Sequence, residues 1–232
     1  MNISSHKEKT IAIFNTDVDQ RTRILDSQIE AGTYHRGYFF RDRIESNIPA
    51  GSKILDYGCG SGRLTRLVGE CGYEMVGLDP AVELIRKAKE QDLSQLKVRF
   101  EVLEKDGDSL PENVYDAVIC SSAIEFIPDP AKVLHNLYKT LKPGGSLIIS
   151  FSNPYSFWKY YAKLRFKKQY EHFSVQKTSM NFIGAKKLLR FVGFKKVTLP
   201  TYFESAMDKN PILKPLNRIP VIGTLFLVRA VK

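Results

Sequence analysis

Glycines alternate with other residues in the stretch Asp56-Tyr57-Gly58-Cys59-Gly60-Ser61-Gly62, directly after the short apolar run Ile54-Leu55. Glycine is favoured where the backbone takes a positive φ or where a ligand lies against bare backbone. The apolar run indicates the end of a buried strand, and the residues after the glycines continue as an amphipathic helix. The pattern therefore predicts a strand-to-helix turn that holds a ligand, with the first amides of the helix as hydrogen-bond donors.

The spacing of these glycines differs from that of two common phosphate-binding loops. A dinucleotide fingerprint, G-x-G-x-x-G, requires its third glycine where this chain has Arg63. A P-loop ends in Gly-Lys-Ser or Gly-Lys-Thr, whereas Gly62 is followed here by Arg63 and Leu64. A second apolar run ends at Asp79, where an acid of nucleotide-binding α/β folds accepts the two ribose hydroxyls. The sequence thus predicts a ligand that contains a ribose, bound at a loop that is not shaped for a pyrophosphate.

This combination of an acid, alternating glycines and a second acid resembles the class I S-adenosylmethionine-dependent methyltransferases, over the range from about Gly51 to Val197. The resemblance implies S-adenosylmethionine as the cofactor. It also implies a cofactor site that consists of Asp56, Gly58, Cys59, Gly60, Gly62, Asp79, Pro80, Asp106, Gly107 and Ser121.

Two of these assignments follow from the ends of later strands. Members of the family place an acid four residues before a Leu-Pro pair, where it receives the adenine amino group; this acid is Asp106, with Glu104 and Asp108 as alternatives. Ser121 follows the fourth predicted strand and should border the reacting sulfonium, because open α/β sheets bind ligands beyond the carboxyl ends of their strands.

Strands that alternate with helices predict an α/β fold with parallel pairing through right-handed crossovers. The resemblance implies a three-layer Rossmann-like sandwich, with a seven-stranded, mostly parallel sheet whose last strand is antiparallel. The later strands are expected at Ser146 to Phe151, Phe194 to Leu199 and Thr224 to Val231, and Pro80 is expected at the first position of a helix.

A chain of 232 residues is expected to form a single domain, residues 1–232. Residues 1–50 are interpreted as an N-terminal helical cap, which in the resembling family often covers the cofactor. Arg36 or Tyr38 could then contact the methionine end of the cofactor.

Residues 154–182 interrupt the family pattern between the fifth strand and the last helix. They include eight aromatic residues between Tyr155 and Phe173, interleaved with lysines and an arginine. Two interpretations stay open: an amphipathic helix that covers the core, and a substrate lid. His172 precedes the last helix at a point where relatives often carry a histidine facing the acceptor, so it is the candidate catalytic base. The alternative is a histidine that only hydrogen-bonds to backbone and orders the lid.

Methyl transfer is an in-line displacement that depends mainly on holding the two reactants together. We expect a small-molecule acceptor that is methylated on oxygen, with nitrogen as the alternative. The segment after the fourth strand is similar to the Glu-x-x-Glu-His stretch of ubiquinone-biosynthesis O-methyltransferases, which can hold a metal. Only Glu125 of those ligands is kept, with Ser122 and Phe126 at the other two positions, so we expect no metal in the reaction.

Charge and cysteine content narrow the remaining alternatives. The net charge of +10 suits an acidic substrate, an anionic membrane surface or nucleic acid. Nucleic-acid amino-methyltransferases carry Asn/Asp-Pro-Pro-Tyr/Phe after the fourth strand, whereas here Asn153-Pro154-Tyr155 comes one strand later, which disfavours a nucleic-acid substrate. A cofactor-binding partner protein without turnover is the other alternative, and the oligomeric state stays open. Three cysteines and a polar start with no signal-peptide core favour the cytoplasm.

Overall fold

The computed structural model describes residues 3–16, 18–31, 35–104, 110–157, 159–161, 175–203, 212 and 214–232. Its helices are α1 (Ile3–Asn15), α2 (Val18–Glu30), α3 (His35–Glu45), α4 (Arg63–Gly69), α5 (Val82–Lys89), α6 (Pro130–Thr140) and α7 (Phe182–Val192). Its strands are β1 (Lys53–Tyr57), β2 (Glu74–Asp79), β3 (Val98–Val102), β4 (Tyr115–Cys120), β5 (Leu141–Ser152), β6 (Lys196–Val197), β7 (Thr201–Phe203) and β8 (Leu225–Val231). Short 3₁₀ turns lie at Ile124–Phe126 and Lys214–Arg218. None of the helices in these ranges is both long and apolar enough to cross a bilayer.

The strands form one sheet in the order β3-β2-β1-β4-β5-β8-β6, with β7 also paired to β8. Pairing is parallel from β3 to β5, and β8 runs antiparallel to β5, which confirms the predicted mostly parallel α/β sheet. β6 and β7 lie at opposite ends of the same outer edge of β8, so eight strand segments occupy seven positions. The predicted strand from Phe194 to Leu199 is shorter than expected, and the edge resumes only after Pro200, which has no N–H to donate to a ladder.

β5 begins earlier than predicted and carries a bulge. Tyr115 of β4 pairs with Leu141, but Ala117, two residues later, pairs with Ser146. The extra residues include Pro143-Gly144-Gly145, and Gly144 has a φ of 78°. Proline and a left-handed glycine cannot continue a regular ladder, so the strand bends there and resumes at the predicted Ser146.

Alternate residues of the central strands face two different helix layers. Leu55 of β1 and Val118 of β4 pack in the cluster that contains α6 and α7. Ile54 and Ile119 pack in the cluster that contains α3 and α4. The sheet is therefore buried on both faces, as parallel sheets generally are. Since the strand order reverses between β1 and β4, their carboxyl ends open a crevice between the crossovers.

Candidate functional site

The glycine loop lies at this crevice, between β1 and α4. Gly58, Gly60 and Gly62 all have positive φ, at 77°, 55° and 75°. A Cβ on Gly58 would lie 2.4 Å from the Cβ of Ala123, and one on Gly62 would lie 2.4 Å from Phe100. A Cβ on Gly60 would meet nothing within 4 Å. Two of these glycines therefore permit close packing of the loop, and Gly60 faces open space.

The amides of the loop are directed mainly at the end of β2. Gly58 and Cys59 both donate to the carbonyl of Leu78, at 2.8 and 3.0 Å. The Cys59 side chain faces Gly77, because a Cβ added to Gly77 would lie 3.0 Å from the Cys59 sulfur. Burial raises the pKa of the Cys59 thiol. These two amides hold the loop on the sheet rather than a ligand. The predicted donors are the first amides of the following helix, and their role stays a prediction. Cys59 contributes packing and backbone shape.

Asp79 closes the loop at the end of β2. Its Oδ2 accepts the Gly60 N–H at 2.9 Å, and its Oδ1 accepts the Ala81 N–H at 2.8 Å. Burial raises the pKa of this carboxyl, and the two amide hydrogen bonds oppose that shift. Each carboxylate oxygen has a second lone pair, so Asp79 keeps the capacity to accept two further hydroxyl hydrogens.

The same contact corrects the expected start of α5. Pro80 is not the first helical residue: α5 begins at Val82, and Ala81 is its N-cap. The Asp79 carboxylate accepts the Ala81 amide, and Pro80 lies between these two residues in a bend at the end of β2.

Asp56 is the second acid at the crevice and lies almost wholly buried at the end of β1. Its Oδ2 accepts the Thr65 hydroxyl at 2.6 Å. Its Oδ1 is buried and has no hydrogen-bond partner within the part of the chain that the structure describes. Burial raises the pKa of Asp56 to about 7, the Thr65 hydrogen bond opposes this, and the charge of Asp79 adds to it. A buried acceptor without a partner indicates that a donor or a cation belongs beside it.

The turn after β4 forms the opposite wall of the crevice. Ser121 is half-buried there, and Ser122 adopts a φ of 53°, which is uncommon for a residue other than glycine. The Ser122 amide donates to the hydroxyl of Ser150 on β5 at 2.9 Å. The Ser122 hydroxyl oxygen is buried without a partner among the described residues. Sequence reasoning missed Ser150, whose only signal was its alternation with the apolar residues of β5.

The residues that replace possible metal ligands have other roles here. Glu125 is buried, and its carbonyl accepts the amides of Lys177 and Thr178, which ties the segment before α7 to the crevice. Phe126 packs edge-to-face on Phe14 of α1, with ring centroids 5.0 Å apart. No cluster of three or more His, Cys, Asp or Glu side chains suited to a metal occurs among the described residues. Metal-independent chemistry stays a prediction.

The first two helices pack beside the crevice. Val18 of α2 packs with Ala81 and Leu84, next to the end of β2. Eight residues further along the same helix, the Asp26 carboxylate accepts a hydrogen bond from a terminal guanidinium nitrogen of Arg63 at 2.7 Å. Arg63 is the first residue of α4. Residues four apart share a helix face, so Thr22 faces the space between these two contacts. α2 therefore spans from the end of β2 to the end of the glycine loop.

Two polar atoms at this boundary were missed by sequence reasoning. The Thr22 hydroxyl and one terminal nitrogen of Arg63 are buried with no partner in the described ranges. Nothing in the spacing of Asp26 and Arg63 along the chain predicted their pairing. Of the two cap residues that were singled out, Arg36 lies in the first turn of α3, and the Tyr38 hydroxyl donates to the carbonyl of Ile29 at 3.3 Å.

Several predicted residues lie outside the described ranges. These are Asp106 and Gly107, the rival acid Asp108, and the candidate base His172. Glu104, the other rival for the adenine contact, is exposed just after β3. The choice of adenine acid and the role of His172 stay predictions.

The Asn-Pro-Tyr stretch after β5 is a structural turn, as predicted. Asn153 is almost fully buried, and its side-chain amide donates to the carbonyls of Pro220 and Gly223. Its Oδ1 accepts the Tyr155 amide at 3.1 Å. With its side chain committed to backbone groups, Asn153 cannot present its amide to a nucleobase.

The sequence is similar to those of known methyltransferases. Residues 33–198 match the family model described as a methyltransferase domain. A ubiquinone biosynthesis O-methyltransferase of Xanthomonas axonopodis pv. citri is 34% identical over 108 residues, which cover 45% of each chain. A mitochondrial protein of the same name from Rattus norvegicus is 36% identical over 110 residues, 45% of this chain and 32% of its own. The chain thus matches less than half the length of these curated relatives.

Solved structures share the fold at low sequence identity. One is an S-adenosylmethionine-dependent methyltransferase of Thermotoga maritima, described as a possible histamine N-methyltransferase, with a TM-score of 0.70 and 17% identity over 96% of this chain and 99% of its own. Another is phosphoethanolamine N-methyltransferase 2 of Haemonchus contortus in complex with S-adenosyl-L-methionine, with a TM-score of 0.63 and 19% identity over 87% of this chain and 53% of its own.

Proposed function

Since the chain belongs to the methyltransferase-domain family, we propose that it transfers the methyl group of S-adenosylmethionine to an oxygen of a small-molecule acceptor. S-adenosylmethionine is the cofactor of this class of domain. The observation that carries the proposal is the arrangement of two buried acids, Asp56 and Asp79, around the open backbone of Gly60. Relatives named as O-methyltransferases support an oxygen as the acceptor atom.

The polar atoms left at the crevice fit the chemistry of this cofactor. Asp79 retains lone pairs for the two ribose hydroxyls, and the buried Oδ1 of Asp56 is a suitable partner for the amino-acid ammonium. Gly60 permits the cofactor to lie against bare backbone. The unpartnered nitrogen of Arg63, beneath α2, suits the amino-acid carboxylate.

When bound, the cofactor supplies a methyl group that is activated by attachment to a sulfonium. The chain's contribution is to orient the acceptor and to exclude water. The turn after β4, with the Ser122 hydroxyl, and the end of β5, where Lys159 donates to Ser152 at 2.5 Å, form the polar wall of the acceptor side. An acceptor hydroxyl must lose its proton as the carbon–oxygen bond forms, and we assign that proton to His172.

Asp79→Asn tests the cofactor site, because the amide cannot accept hydrogen bonds at both of its atoms. We expect S-adenosylhomocysteine to bind about thirtyfold more weakly, or about 2 kcal/mol, by calorimetry. The 2′,3′-dideoxy analogue should bind the variant and the wild type nearly equally, because it has no ribose hydroxyls to lose. Asp116→Asn, an acid at the opposite end of the sheet that pairs with Lys142, is the matched control. Equal loss for both ligands would show that Asp79 only shapes the loop.

The assignment of His172 predicts a separate effect. His172→Ala should lower turnover about a hundredfold with cofactor affinity unchanged, and high pH should restore part of the rate. Unchanged turnover with a higher Michaelis constant would make His172 a binding residue. A methyl-release assay across a metabolite panel distinguishes the enzyme from a binding protein without turnover.

We also propose a cytoplasmic location, because three cysteines, an odd number without metal-ligand spacing, suit a reducing compartment better than a disulfide framework. Fractionation of cells that produce the chain, with a thiol-alkylation assay, tests this. Recovery of oxidised cysteines from a secreted fraction would contradict it.

A further inference from the structure

The hydroxyl of Thr22 in α2 differs from those of the two threonines that precede it in the chain. Thr10 and Thr16 each donate to the backbone carbonyl four residues earlier, at 2.9 Å. Such a bond is a common way for a threonine in a helix to satisfy its hydroxyl. Thr22 is only 2% exposed, and its hydroxyl has no partner in the part of the chain that the structure describes. A buried hydroxyl of this kind indicates that a group from outside the chain belongs beside it.

Ion pairs on both sides of Thr22 fix the face of α2 that carries it. Three residues before Thr22, Asp19 pairs with Lys87 of α5 at 2.9 Å. Four residues after it, the Asp26 carboxylate pairs with the guanidinium of Arg63, at 2.7 Å from Nη2 and 2.5 Å from Nε. Because residues four apart share a helix face, Thr22 faces the body of the protein on the same side as Asp26. Its hydroxyl therefore lies between α5 and the first residue of α4.

Arg63 carries a second buried donor at this boundary. Its side chain is 10% exposed, and Asp26 occupies the edge of the guanidinium that Nε and Nη2 form. The remaining nitrogen, Nη1, is buried with no partner among the described residues. Since a guanidinium can only donate, this nitrogen requires an acceptor, and a carboxylate is the acceptor that it binds best. The Thr22 hydroxyl can donate to the same carboxylate.

Asp56 supplies the opposite charge at the same end of α4. Its Oδ2 accepts the hydroxyl of Thr65, which lies in the helical turn that Arg63 begins. Its Oδ1 is the buried oxygen without a described partner. Two donors and one anionic acceptor around one turn of helix match the carboxylate and the ammonium of an amino acid.

We propose that Thr22 donates a hydrogen bond to the carboxylate at the amino-acid end of the cofactor, beside Nη1 of Arg63. This inference rests on the proposed function and deepens it, because it makes α2 a wall of the cofactor site. The Thr22 hydroxyl then favours ligands that carry the carboxylate over those that lack it. Because the contact joins α2 to the ligand, cofactor binding and the docking of α2 stabilise each other by the same free energy.

Thr22→Val tests the contact, because valine keeps the shape of threonine and removes the hydroxyl. Calorimetry should show S-adenosylhomocysteine bound about tenfold more weakly by the variant, as expected for a lost hydrogen bond to a charged group. Decarboxylated S-adenosylhomocysteine keeps the amino group and should bind the variant and the wild type equally. Thr22→Ser, which retains the hydroxyl, should restore most of the affinity for S-adenosylhomocysteine.

Stability without ligand distinguishes this role from a structural one. Removing a buried hydroxyl that has no partner in the described chain should leave the urea midpoint of Thr22→Val unchanged or higher than that of the wild type. A hydroxyl that held α2 in place would lower the midpoint when removed. Thr10→Val is the matched control, since it removes a helical hydroxyl that is already bonded to backbone, and it should leave the affinity for both ligands unchanged.

Three results would contradict the contact, and they have different meanings. Unchanged affinity of Thr22→Val for S-adenosylhomocysteine would leave the hydroxyl to a water molecule near Gln91, whose Oε1 is also buried without a partner in the described ranges. Equal loss for both ligands would mean that Thr22 acts on the position of α2 and not on the carboxylate. A wild type that binds neither ligand would contradict the proposed cofactor itself.

Discussion

The two sides of the crevice differ in the kind of contact that holds their residues in place. On the side proposed for the cofactor, Gly58, Gly60 and Asp79 are joined through backbone amides, carbonyls and one carboxylate, and the surrounding side chains are buried. On the side proposed for the acceptor, Asn153 and Glu125 hold loops through a few hydrogen bonds, and large aromatic side chains remain exposed.

This difference separates what the fold fixes from what it leaves variable. A ligand held against backbone requires particular φ values, which limit the residues at each position to glycine or to a specific acid. A ligand held by side chains on loops can be exchanged by changing those side chains, while the sheet stays the same. Binding of the cofactor and recognition of the acceptor should therefore respond separately to mutation.

The largest expected effect compares a glycine from each side. Gly62→Ala places a methyl group 2.4 Å from Phe100 at a φ of 75°, and should lower the free energy of unfolding by about 3 kcal/mol. Gly184→Ala in α7 meets its neighbours at ordinary contact distances and should be neutral or stabilising by about 0.5 kcal/mol. Urea unfolding measures both.

Phe100→Leu sharpens this prediction, because a smaller side chain makes room for the new methyl group. The double variant Gly62→Ala with Phe100→Leu should lose less stability than the sum of the two single changes. Strict additivity would mean that Phe100 is not the source of the cost.

A second prediction concerns the proton of Asp56. With a pKa of about 7 in the free protein, its carboxyl is mostly protonated at pH 6 and mostly ionised at pH 8. If the ionised form binds the cationic cofactor, affinity should rise about tenfold over this range, with close to one proton released per cofactor bound at pH 6. Calorimetry in buffers of different ionisation enthalpy measures the release, and Asp56→Asn should abolish the pH dependence.

The free energy of unfolding of the cofactor-free protein should change with pH in the opposite direction to the cofactor affinity. Because the folded pKa lies above the ordinary value of 3.8, the contribution of Asp56 to the stability of the cofactor-free protein is complete at low pH. It is lost as the pH rises through about 7, and the Asp56→Asn variant should not show that loss.

A cofactor affinity independent of pH in the wild type would mean that Asp56 does not contact the charged end of the cofactor.

The smallest effect separates the two sides. Asn181 caps α7 by accepting the Gly184 amide, and it also donates to the Tyr155 hydroxyl at 3.1 Å. Asn181→Ala should cost about 1 kcal/mol of stability and leave the affinity for S-adenosylhomocysteine unchanged. Asp129→Ala removes the equivalent cap of α6 and is the control for the loss of a cap. A cofactor affinity that falls only in Asn181→Ala would show that the sides are coupled.

The same contrast explains how much the sequence could predict. The glycine spacing and Asp79 could be read from the sequence as a candidate cofactor site, because the glycines answer a backbone requirement and the acid ends a strand. No local sequence pattern predicts the direction of the Cys59 side chain or the pairing of Asp26 with Arg63. Both depend on the tertiary packing of α2 and the glycine loop. The bulge before Ser146 similarly reflects pairing with β4 rather than the propensity of its own residues.

The central claim is that the cofactor lies against the backbone of Gly60. Gly60→Ala and Gly72→Ala form a matched pair, since both glycines have positive φ and a Cβ on either meets nothing within 4 Å. Both variants should lose a similar, small amount of stability from the strained backbone. Calorimetry with S-adenosylhomocysteine should then show an affinity at least about tenfold lower for Gly60→Ala and unchanged for Gly72→Ala, because only the first methyl group enters the cofactor's volume. Wild-type affinity in a folded Gly60→Ala variant would contradict the claim.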